Sequence, residues 1–300
     1  MSVQPQRVFV TGGRGRLASL VADYFRAPAH AVTLFSRDAA PNFRSLEALL
    51  DPAALAEADA IFHLAWSTLP ATSEQFPGSE AQHDLPYLEK LLAALAAAPN
   101  GRRVRLVFFS TGGAVYGDAP GRPSREDDPC RPIGAYGRAK LAAEQLIAER
   151  AARDGLSCVV LRISNPYGYP VPSNRAQGLI PHALRCSVTG QPLALWGDGT
   201  ARKDFLYYTD FLSALEQVLA HELTGTFNLC AGESHAVGEV IGLVEREIGR
   251  PIALRPQPAP PWDVHDSRLD NAKLVAATGW RPQVALAEGI RRAAVGYAAH

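Results

Sequence analysis

The amino-acid sequence predicts an α/β fold built on a doubly wound parallel sheet, with helices on both faces of the strands. Short β-rich runs alternate with longer Ala- and Leu-rich stretches of helical spacing through the first half of the chain, a pattern typical of βαβ units. The runs are almost continuously apolar, as strands covered on both faces should be. The chain has 300 residues, 47% of them hydrophobic, which is enough for one large domain or two smaller ones.

In the first half of the chain, strands and helices alternate. The predicted strands cover residues 7–11, 31–36, 59–65, 104–110 and 157–163. The predicted helices lie near residues 15–26, 80–98 and 136–154. Strands joined by crossover helices pair in parallel, so this order predicts a parallel sheet.

The pattern changes after residue 165. The segment 165–178 is rich in Pro, Gly and Asn and predicts a loop that leaves the sheet. The proline-rich segment 256–261 (PQPAPP) is expected to form a stiff connector. The remaining expected elements are helices near 178–189, 209–221, 236–248, 270–278 and 286–299 and strands near 193–196 and 224–229. We expect a first domain at 1–168, with 205–232 returning to it, and a smaller, mixed α/β C-terminal domain at 169–204 and 233–300.

Composition and charge exclude several classes of function. Thirty basic and thirty acidic residues give a formal net charge of zero, which disfavours nucleic acid and acidic membrane surfaces as partners. The four cysteines are widely spaced, and no apolar run reaches the ~20 residues of a membrane span, so a reducing cytoplasm is expected. The eight histidines show no metal-ligand spacing, and no metal is expected.

A glycine-rich turn follows the first strand. Gly12 and Gly15 allow the backbone to approach a pyrophosphate, and Ala18 allows the next helix to pack on the strand. The N-terminus of that helix offers N–H groups and a positive dipole end. The turn therefore predicts dinucleotide binding in a Rossmann-type domain; a tight turn without a ligand is the alternative.

The end of the second strand bears on the choice of cofactor. An acidic residue there would bind the ribose 2′-hydroxyl, but the strand ends in Ser36 and Arg37. A hydroxyl and a guanidinium suit a 2′-phosphate, so NADP(H) is favoured over NAD. Two alternatives stay open, that Asp38 rotates in toward the ribose and that Arg37 is merely solvated.

Tyr136 and Lys140 form a candidate acid/base pair. They are four residues apart on a predicted helix and therefore share one face. The charge of Lys140, together with that of an oxidised nicotinamide, is expected to lower the pKa of the phenol. A surface tyrosine beside a solvated lysine is the alternative.

At this point the chain resembles the extended short-chain dehydrogenase/reductase family, and in particular its NAD(P)-dependent nucleotide-sugar epimerases of the UDP-glucose 4-epimerase type. The matching motifs run nearly from end to end. They are TGGRGRLA (11–18), HLAWSTLP (63–70), STGGAVYG (110–117), YGRAK (136–140), RISNPYG (162–168), QGLIPHAL (177–184), WGDGTARKDF (196–205), TFNLCAGE (226–233), LDNAKL (269–274) and GWRP (279–282).

The resemblance implies roles for particular residues. Tyr136 and Lys140 are its catalytic pair. The implied cofactor site comprises Gly12, Arg14, Gly15, Leu17, Ser36, Arg37, Leu64, Ala65, Ser110, Tyr136, Lys140, Ile163 and Asn165. The implied site for a nucleoside-diphosphate sugar comprises Trp66, Thr111, Asn165, Leu179, Arg202, Lys203 and Asp263. The resemblance also implies a homodimer through the helices at 80–98 and 136–154.

The chain departs from the family pattern at several positions. Gly112 stands where the family has a Ser or Thr that contacts the substrate oxygen; Thr111 is our first choice to replace it, with Ser110, Ser67 or Thr68 as alternatives. The same segment has no carboxylate, which disfavours dehydration. Lys203 and Pro260 stand where arginines that bind the diphosphate are expected, and Arg202, Arg255 or Arg268 are candidates to compensate.

The sequence thus predicts an epimerase that acts at C4 of a nucleotide sugar through a transient 4-keto intermediate. A net NADPH-dependent 4-keto-sugar reductase is the first alternative, because Arg37 suits NADPH. A non-catalytic dinucleotide-binding protein is the second, because Gly112 and Pro260 replace expected site residues.

Overall fold

The computed structural model describes residues 6–26, 30–119, 121–170 and 178–298. Residues 171–177 of the predicted loop, Gln177 of the motif at 177–184 and residue 299 of the last predicted helix lie outside this part of the chain.

The strands and helices match most of the predicted elements. The strands are β1 (Arg7–Thr11), β2 (Ala31–Ser36), β3 (Arg44–Ser45), β4 (Ala60–His63), β5 (Arg105–Thr111), β6 (Cys158–Ile163), β7 (Asn165–Tyr167), β8 (Leu193–Trp196), β9 (Arg202–Tyr207), β10 (Gly225–Leu229), β11 (Ser234–Ala236) and β12 (Leu254–Gln257). The α-helices are α1 (Arg16–Arg26), α2 (Pro52–Leu55), α3 (Pro70–Gln75), α4 (Ser79–Gln82), α5 (Asp84–Ala97), α6 (Gly112–Val115), α7 (Ala135–Asp154), α8 (Leu179–Thr189), α9 (Tyr208–Ala220), α10 (Val237–Ile248), α11 (Ala272–Thr278) and α12 (Leu286–Ala298).

The central sheet has the predicted Rossmann-type, doubly wound architecture. Within the described residues it contains seven strands in the order β10, β6, β5, β4, β1, β2, β3. β1 pairs in parallel with β2 on one side and with β4 on the other, and β4 pairs in parallel with β5. The direction of strand order therefore reverses between β1 and β4. In open α/β sheets, ligands bind beyond the carboxyl ends of the strands at such a reversal.

Leucines of α5 anchor this helix on the sheet. Leu88, Leu91, Leu92 and Leu95 recur at helical spacing and are almost completely buried in the same cluster as Phe108 of β5. This packing holds α5 against the strands and orients the neighbouring α7, whose Ala143 and Ile147 join the cluster.

Two predicted elements differ in the structure. The helix expected at 80–98 is divided into α4 and α5, because His83 has a non-helical backbone (φ −121°, ψ −53°). The loop expected at 165–178 begins with β7, which pairs in parallel with β9, a strand absent from the prediction. The polar start of β9, Arg-Lys-Asp, hides its strand character because strand prediction relies on apolar and β-branched residues.

The chain forms two compact units whose boundaries differ from the predicted domain limits. The first unit comprises Met1–Thr111, Gly134–Arg162 and Val218–Phe227, and the second comprises Gly112–Ile133, Ile163–Gln217 and Asn228–His300.

Hydrogen bonds explain why residues 112–133 belong to the second unit. The Tyr116 hydroxyl donates to Asn228 Oδ1 at 2.8 Å, and Asn228 Nδ2 donates to the Ser124 carbonyl at 2.9 Å. Ser124 also accepts a backbone bond from Asp270. Residues 205–217 join this unit because β9 pairs with β7 and with β11.

Candidate active site

The turn between β1 and α1, called the glycine cradle below, packs closely against the end of β4. Gly12 has a left-handed backbone (φ +72°), and a Cβ there would lie 2.9 Å from Ala65 N and 3.0 Å from Leu64 C. A Cβ on Gly15 would lie 3.0 Å from the Gly12 carbonyl oxygen. The 11-residue helix α1 follows immediately, and its first amides lack intrahelical partners. Backbone so closely packed at a helix N-terminus fits a dinucleotide phosphate.

A buried histidine locks this turn to the end of β4. Thr11 Oγ1 accepts a hydrogen bond from Ala65 N at 3.0 Å and lies 2.9 Å from His63 Nδ1. Burial, and then the charge of Lys140, lower the pKa of His63 to about 3, so the ring is neutral. The sequence analysis did not assign His63 a role; the motif that begins with it was the available signal.

Arginines surround the carboxyl ends of β1 and β2. The Arg14 guanidinium lies 5.8 Å from the ring centroid of Phe43, and that of Arg44 lies 5.4 Å from the ring centroid of Phe35. Arg37 is exposed. Within the described part of the chain, none of these three arginines forms an ion pair. Unpaired guanidinium groups at this position suit an anionic cofactor.

The Ser36 hydroxyl forms a hydrogen bond within the protein. Ser36 is buried, and its hydroxyl donates to the Asp38 carbonyl oxygen. A serine has a single hydroxyl proton, so this bond leaves it no donor for a 2′-phosphate.

The predicted pair Tyr136 and Lys140 lies near the start of α7. Lys140 is 4% exposed; its Nζ donates to the Phe109 carbonyl oxygen at 2.9 Å and lies 5.8 Å from the Tyr136 ring centroid. Glu74 of α3 accepts a hydrogen bond from Ala135 N and thereby caps α7 immediately before Tyr136. The sequence analysis missed Glu74, because a cap from a distant segment leaves no local signal.

The surroundings of Tyr136 act on its pKa in the absence of a cofactor. The expectation was that Lys140 and an oxidised nicotinamide together lower the pKa of the phenol; in the protein alone burial, followed by the carboxylates Glu80 and Asp84, raises the pKa of Tyr136. Burial also lowers the pKa of Lys140 to about 7, against the opposing charges of Asp84, Glu144 and Glu80. In the protein alone Tyr136 is therefore protonated at neutral pH, because burial and two nearby carboxylates favour the neutral phenol.

Of the hydroxyls considered as replacements at Gly112, three donate to carboxylates. Ser67 donates to Asp84 Oδ2 at 2.5 Å, Thr68 donates to Glu80, and Ser110 donates to Glu144. Thr111 ends β5 and is partly exposed, and among the described residues its hydroxyl has no hydrogen-bond partner. Thr111 thus retains a proton to donate, as our first choice requires.

A buried ion pair holds α7 against the sheet. Arg162 of β6 contacts Glu144 with Nη2–Oε2 at 2.7 Å and Nε–Oε2 at 3.0 Å. Ser110 of β5 adds its hydrogen bond to the same carboxylate. Since Glu144 lies one turn beyond Lys140, these contacts fix the helix that carries the candidate pair. Sequence analysis missed them because they join three distant segments.

Five of the seven residues predicted to bind the sugar nucleotide lie in the second unit, whereas Trp66 and Thr111 lie in the first. Lys203 Nζ donates to Asp263 Oδ1 at 2.8 Å and to the Val264 carbonyl, and Arg202 donates to the Ser234 carbonyl. Leu179 is the first residue of α8. The structure therefore brings Lys203 and Asp263 together as an ion pair, in which each charge compensates the other.

Asn165, predicted for cofactor and substrate, is exposed at the start of β7. Its Nδ2 donates to the Asp204 carbonyl at 2.8 Å. Ile163, predicted for the cofactor, is the last residue of β6. Of the arginines suggested to compensate for Lys203 and Pro260, Arg268 forms an ion pair with Asp266.

The described residues contain neither a candidate metal site nor a candidate membrane span. No group of three or more His, Cys, Asp or Glu in that part of the chain is arranged to hold a metal ion. No helix there is both long and apolar enough to cross a membrane.

Comparison with known proteins decides the family. The family model described as NAD dependent epimerase/dehydratase family matches residues 8–230. The chain belongs to this family. It is an NAD(P)-dependent epimerase/oxidoreductase of the extended short-chain dehydrogenase/reductase type, which confirms the resemblance found in its motifs.

Similar proteins include UDP-glucose 4-epimerases and a protein solved with NADPH. The chain is 28% identical to a UDP-glucose 4-epimerase of Mycolicibacterium smegmatis, over 95% of this chain and 96% of that protein. The solved UDP-glucose 4-epimerase of Thermus thermophilus in complex with NAD has a TM-score of 0.86 and 28% identity, covering 97% of this chain and 99% of that one. The solved RMD of Pseudomonas aeruginosa complexed with NADPH has a TM-score of 0.79 and 26% identity, covering 98% and 100%. A nicotinamide cofactor is thus a property of the family, but a preference for NADP is not supported by these relatives.

Proposed function

We propose that the protein is an NAD(P)-dependent nucleotide-sugar epimerase that inverts C4 through a transient 4-keto sugar. The observation that carries the proposal is the placement of Tyr136 and Lys140 on one face of α7, in the same unit as the glycine cradle at the strand-order reversal. The similarity to UDP-glucose 4-epimerases supports a UDP-sugar as substrate.

In the proposed reaction, the Tyr136 phenolate takes the proton of the C4 hydroxyl as the C4 hydrogen leaves with its electron pair. An oxidised nicotinamide, when bound, would supply the acceptor for that electron pair and a positive charge. The sugar rotates, the electron pair returns to the other face of C4, and Tyr136 gives the proton back to the oxygen. Lys140, as an ammonium, favours the phenolate, and Thr111 donates a hydrogen bond to the C4 oxygen.

The decisive experiment supplies the purified protein with UDP-glucose or UDP-N-acetylglucosamine. We expect conversion to the galacto product after oxidised cofactor is added once in substoichiometric amount, because the cycle regenerates it. If the protein instead consumes NADPH stoichiometrically with a 4-keto-sugar nucleotide and shows no epimerisation, the result favours the reductase. The unpaired arginines Arg14, Arg37 and Arg44 also fit that reaction. Absence of both reactions with several sugar nucleotides contradicts an enzymatic role for this site.

We further propose that Arg37 gives the protein a preference for NADP(H). The support is the set of unpaired arginines, Arg14, Arg37 and Arg44, at the ends of β1 and β2 in the described part of the chain. A charged hydrogen bond to a 2′-phosphate contributes about 1.5–3 kcal/mol. Arg37→Leu should therefore weaken NADP(H) binding about 10- to 100-fold and leave NAD(H) binding almost unchanged.

Isothermal titration with both cofactors measures this difference. Arg26→Leu is the matched control, because Arg26 ends α1 and pairs with the exposed Asp23. Wild-type protein that binds NAD more tightly than NADP, with the same ratio in Arg37→Leu, refutes the proposed preference.

We also propose a homodimer formed through α5 and α7. Both helices expose small residues that allow close helix packing; these are Ala93 and Ala96 of α5 and Ala148 and Ala152 of α7. Light scattering after size exclusion should give about twice the chain mass of 32.2 kDa. Ala93→Glu with Ala148→Glu should yield monomers, whereas a wild-type monomer at micromolar concentration contradicts the proposal.

A further inference from the structure

The ammonium group of Lys140 is enclosed by aromatic rings. Its Nζ lies 3.7 Å from the ring centroid of Trp66, 4.8 Å from that of Phe108 and 5.8 Å from that of Tyr136. Nζ also donates a hydrogen bond to the Phe109 carbonyl oxygen. Within the described part of the chain, no carboxylate oxygen lies within 4.0 Å of Nζ. The charge is therefore held by ring faces and one carbonyl, and the nearest face is that of Trp66.

The orientation of Trp66 indicates that its face, and not its N–H group, makes the favourable contact. A buried indole N–H usually finds an acceptor. The Trp66 Nε1 atom is buried and has no hydrogen-bond partner in the described residues. The ring instead packs edge-on against Phe108, with centroids 5.9 Å apart, and presents its face to Lys140.

We propose that Trp66 is a positioning residue for Lys140, whose ammonium it holds in place and in the charged state through its ring face. The proposal deepens the proposed function, on which it rests for the role of Lys140. It assigns Trp66 a task different from direct contact with the sugar nucleotide.

Two opposing effects act on the charge of the Lys140 side chain, namely its burial and its contact with the Trp66 ring. Burial of an amine favours its neutral form, whereas tryptophan is the side chain whose face attracts a cation most strongly, above all when water is excluded. Other charged or titratable groups that face Lys140 are Asp84 of α5, Glu80 of α4, Glu144 and Tyr136 of α7, and His63 of β4. A substitution at position 66 alters none of these groups. A comparison of variants at this position therefore measures the effect of the Trp66 ring on the charge of Lys140.

Two variants test the proposal. Trp66→Phe keeps a ring face, and Trp66→Leu keeps an apolar side chain without one. The chain has four lysines (Lys90, Lys140, Lys203 and Lys273), so a protein labelled with ¹³C at the lysine ε-carbons gives few signals, and Lys140→Met assigns that of Lys140. We expect the titration midpoint of Lys140 to fall by about one pH unit in Trp66→Leu and by less than half of that in Trp66→Phe.

The pH dependence of kcat should change in the same order as the Lys140 midpoint, more in Trp66→Leu than in Trp66→Phe. In Trp66→Leu the alkaline limb of the kcat profile should move to lower pH with KM for the sugar nucleotide little changed, and Trp66→Phe should restore most of the wild-type profile. An unchanged or raised Lys140 midpoint in a folded Trp66→Leu protein overturns the proposal. A higher KM in Trp66→Leu with an unchanged Lys140 midpoint also overturns the proposal, because it would make Trp66 a substrate contact. Because the NMR titration needs no substrate, it remains decisive even if the proposed sugar reaction fails.

Discussion

Replacement of Tyr136 by phenylalanine is expected to reduce kcat by about 100- to 10,000-fold, the usual contribution of a positioned acid/base group. Phenylalanine retains the ring that packs near Lys140 but lacks the oxygen that exchanges a proton with the C4 hydroxyl. Cofactor binding should remain close to that of the wild type. Steady-state turnover of the sugar nucleotide and a cofactor titration measure the two effects separately.

The matched control is Tyr24→Phe, which removes a phenol hydroxyl from α1 at the end remote from the glycine cradle. It should leave kcat unchanged. If Tyr136→Phe retains turnover within tenfold of wild type, Tyr136 is not the acid/base group and the proposed mechanism fails.

Replacement of Gly12 by alanine should weaken cofactor binding at least about tenfold, or 1.4 kcal/mol. The backbone at Gly12 is left-handed (φ +72°), and the new Cβ would lie 2.9 Å from Ala65 N, so the turn must move away from the end of β4. Such a shift displaces the amides at the start of α1 that would contact the pyrophosphate. Calorimetric titration with NAD and NADP measures the loss.

Gly249→Ala separates this effect from simple backbone strain. Gly249 has the same φ of +72°, but a Cβ there has no atom of the described residues within 4 Å. Both variants should lose about 1–2 kcal/mol of unfolding free energy, because a left-handed alanine is strained. Only Gly12→Ala should lose cofactor affinity; equal affinity in both variants would contradict the cradle.

The mutual placement of Tyr136 and Lys140 was predictable because it depends only on helical period. Residues at i and i+4 share a face in any helix, and α7 forms where the Ala-rich pattern predicts it. The pKa of Tyr136 was not predictable in this way. The pKa is raised first by burial and then by Glu80 and Asp84, which lie more than 50 residues away in sequence and reach α7 only through the packing of α4 and α5.

Gly12 and Ser36 show the same difference: the role of the first follows from local sequence, and that of the second depends on tertiary structure. A glycine directly after a first strand indicates a turn that excludes side chains, and the structure shows that close approach. Whether the Ser36 hydroxyl is available to a ligand depends on where the next two residues turn. In the structure this hydroxyl donates a hydrogen bond to the Asp38 carbonyl oxygen. The polar strands β9 and β11 also escaped prediction, because they owe their existence to pairing with each other and with β7.

By itself, the sequence determined the α/β class, the glycine turn, the candidate pair on α7 and the family, since each of these depends on local spacing and on ordered motifs. Only the tertiary structure decided how the pair is held: Glu74 at the start of α7, the Glu144–Arg162 pair one turn beyond Lys140, and the Trp66 face on its ammonium. Contacts of this kind join segments far apart in the chain. Their strength depends on burial, which no local pattern of residues specifies.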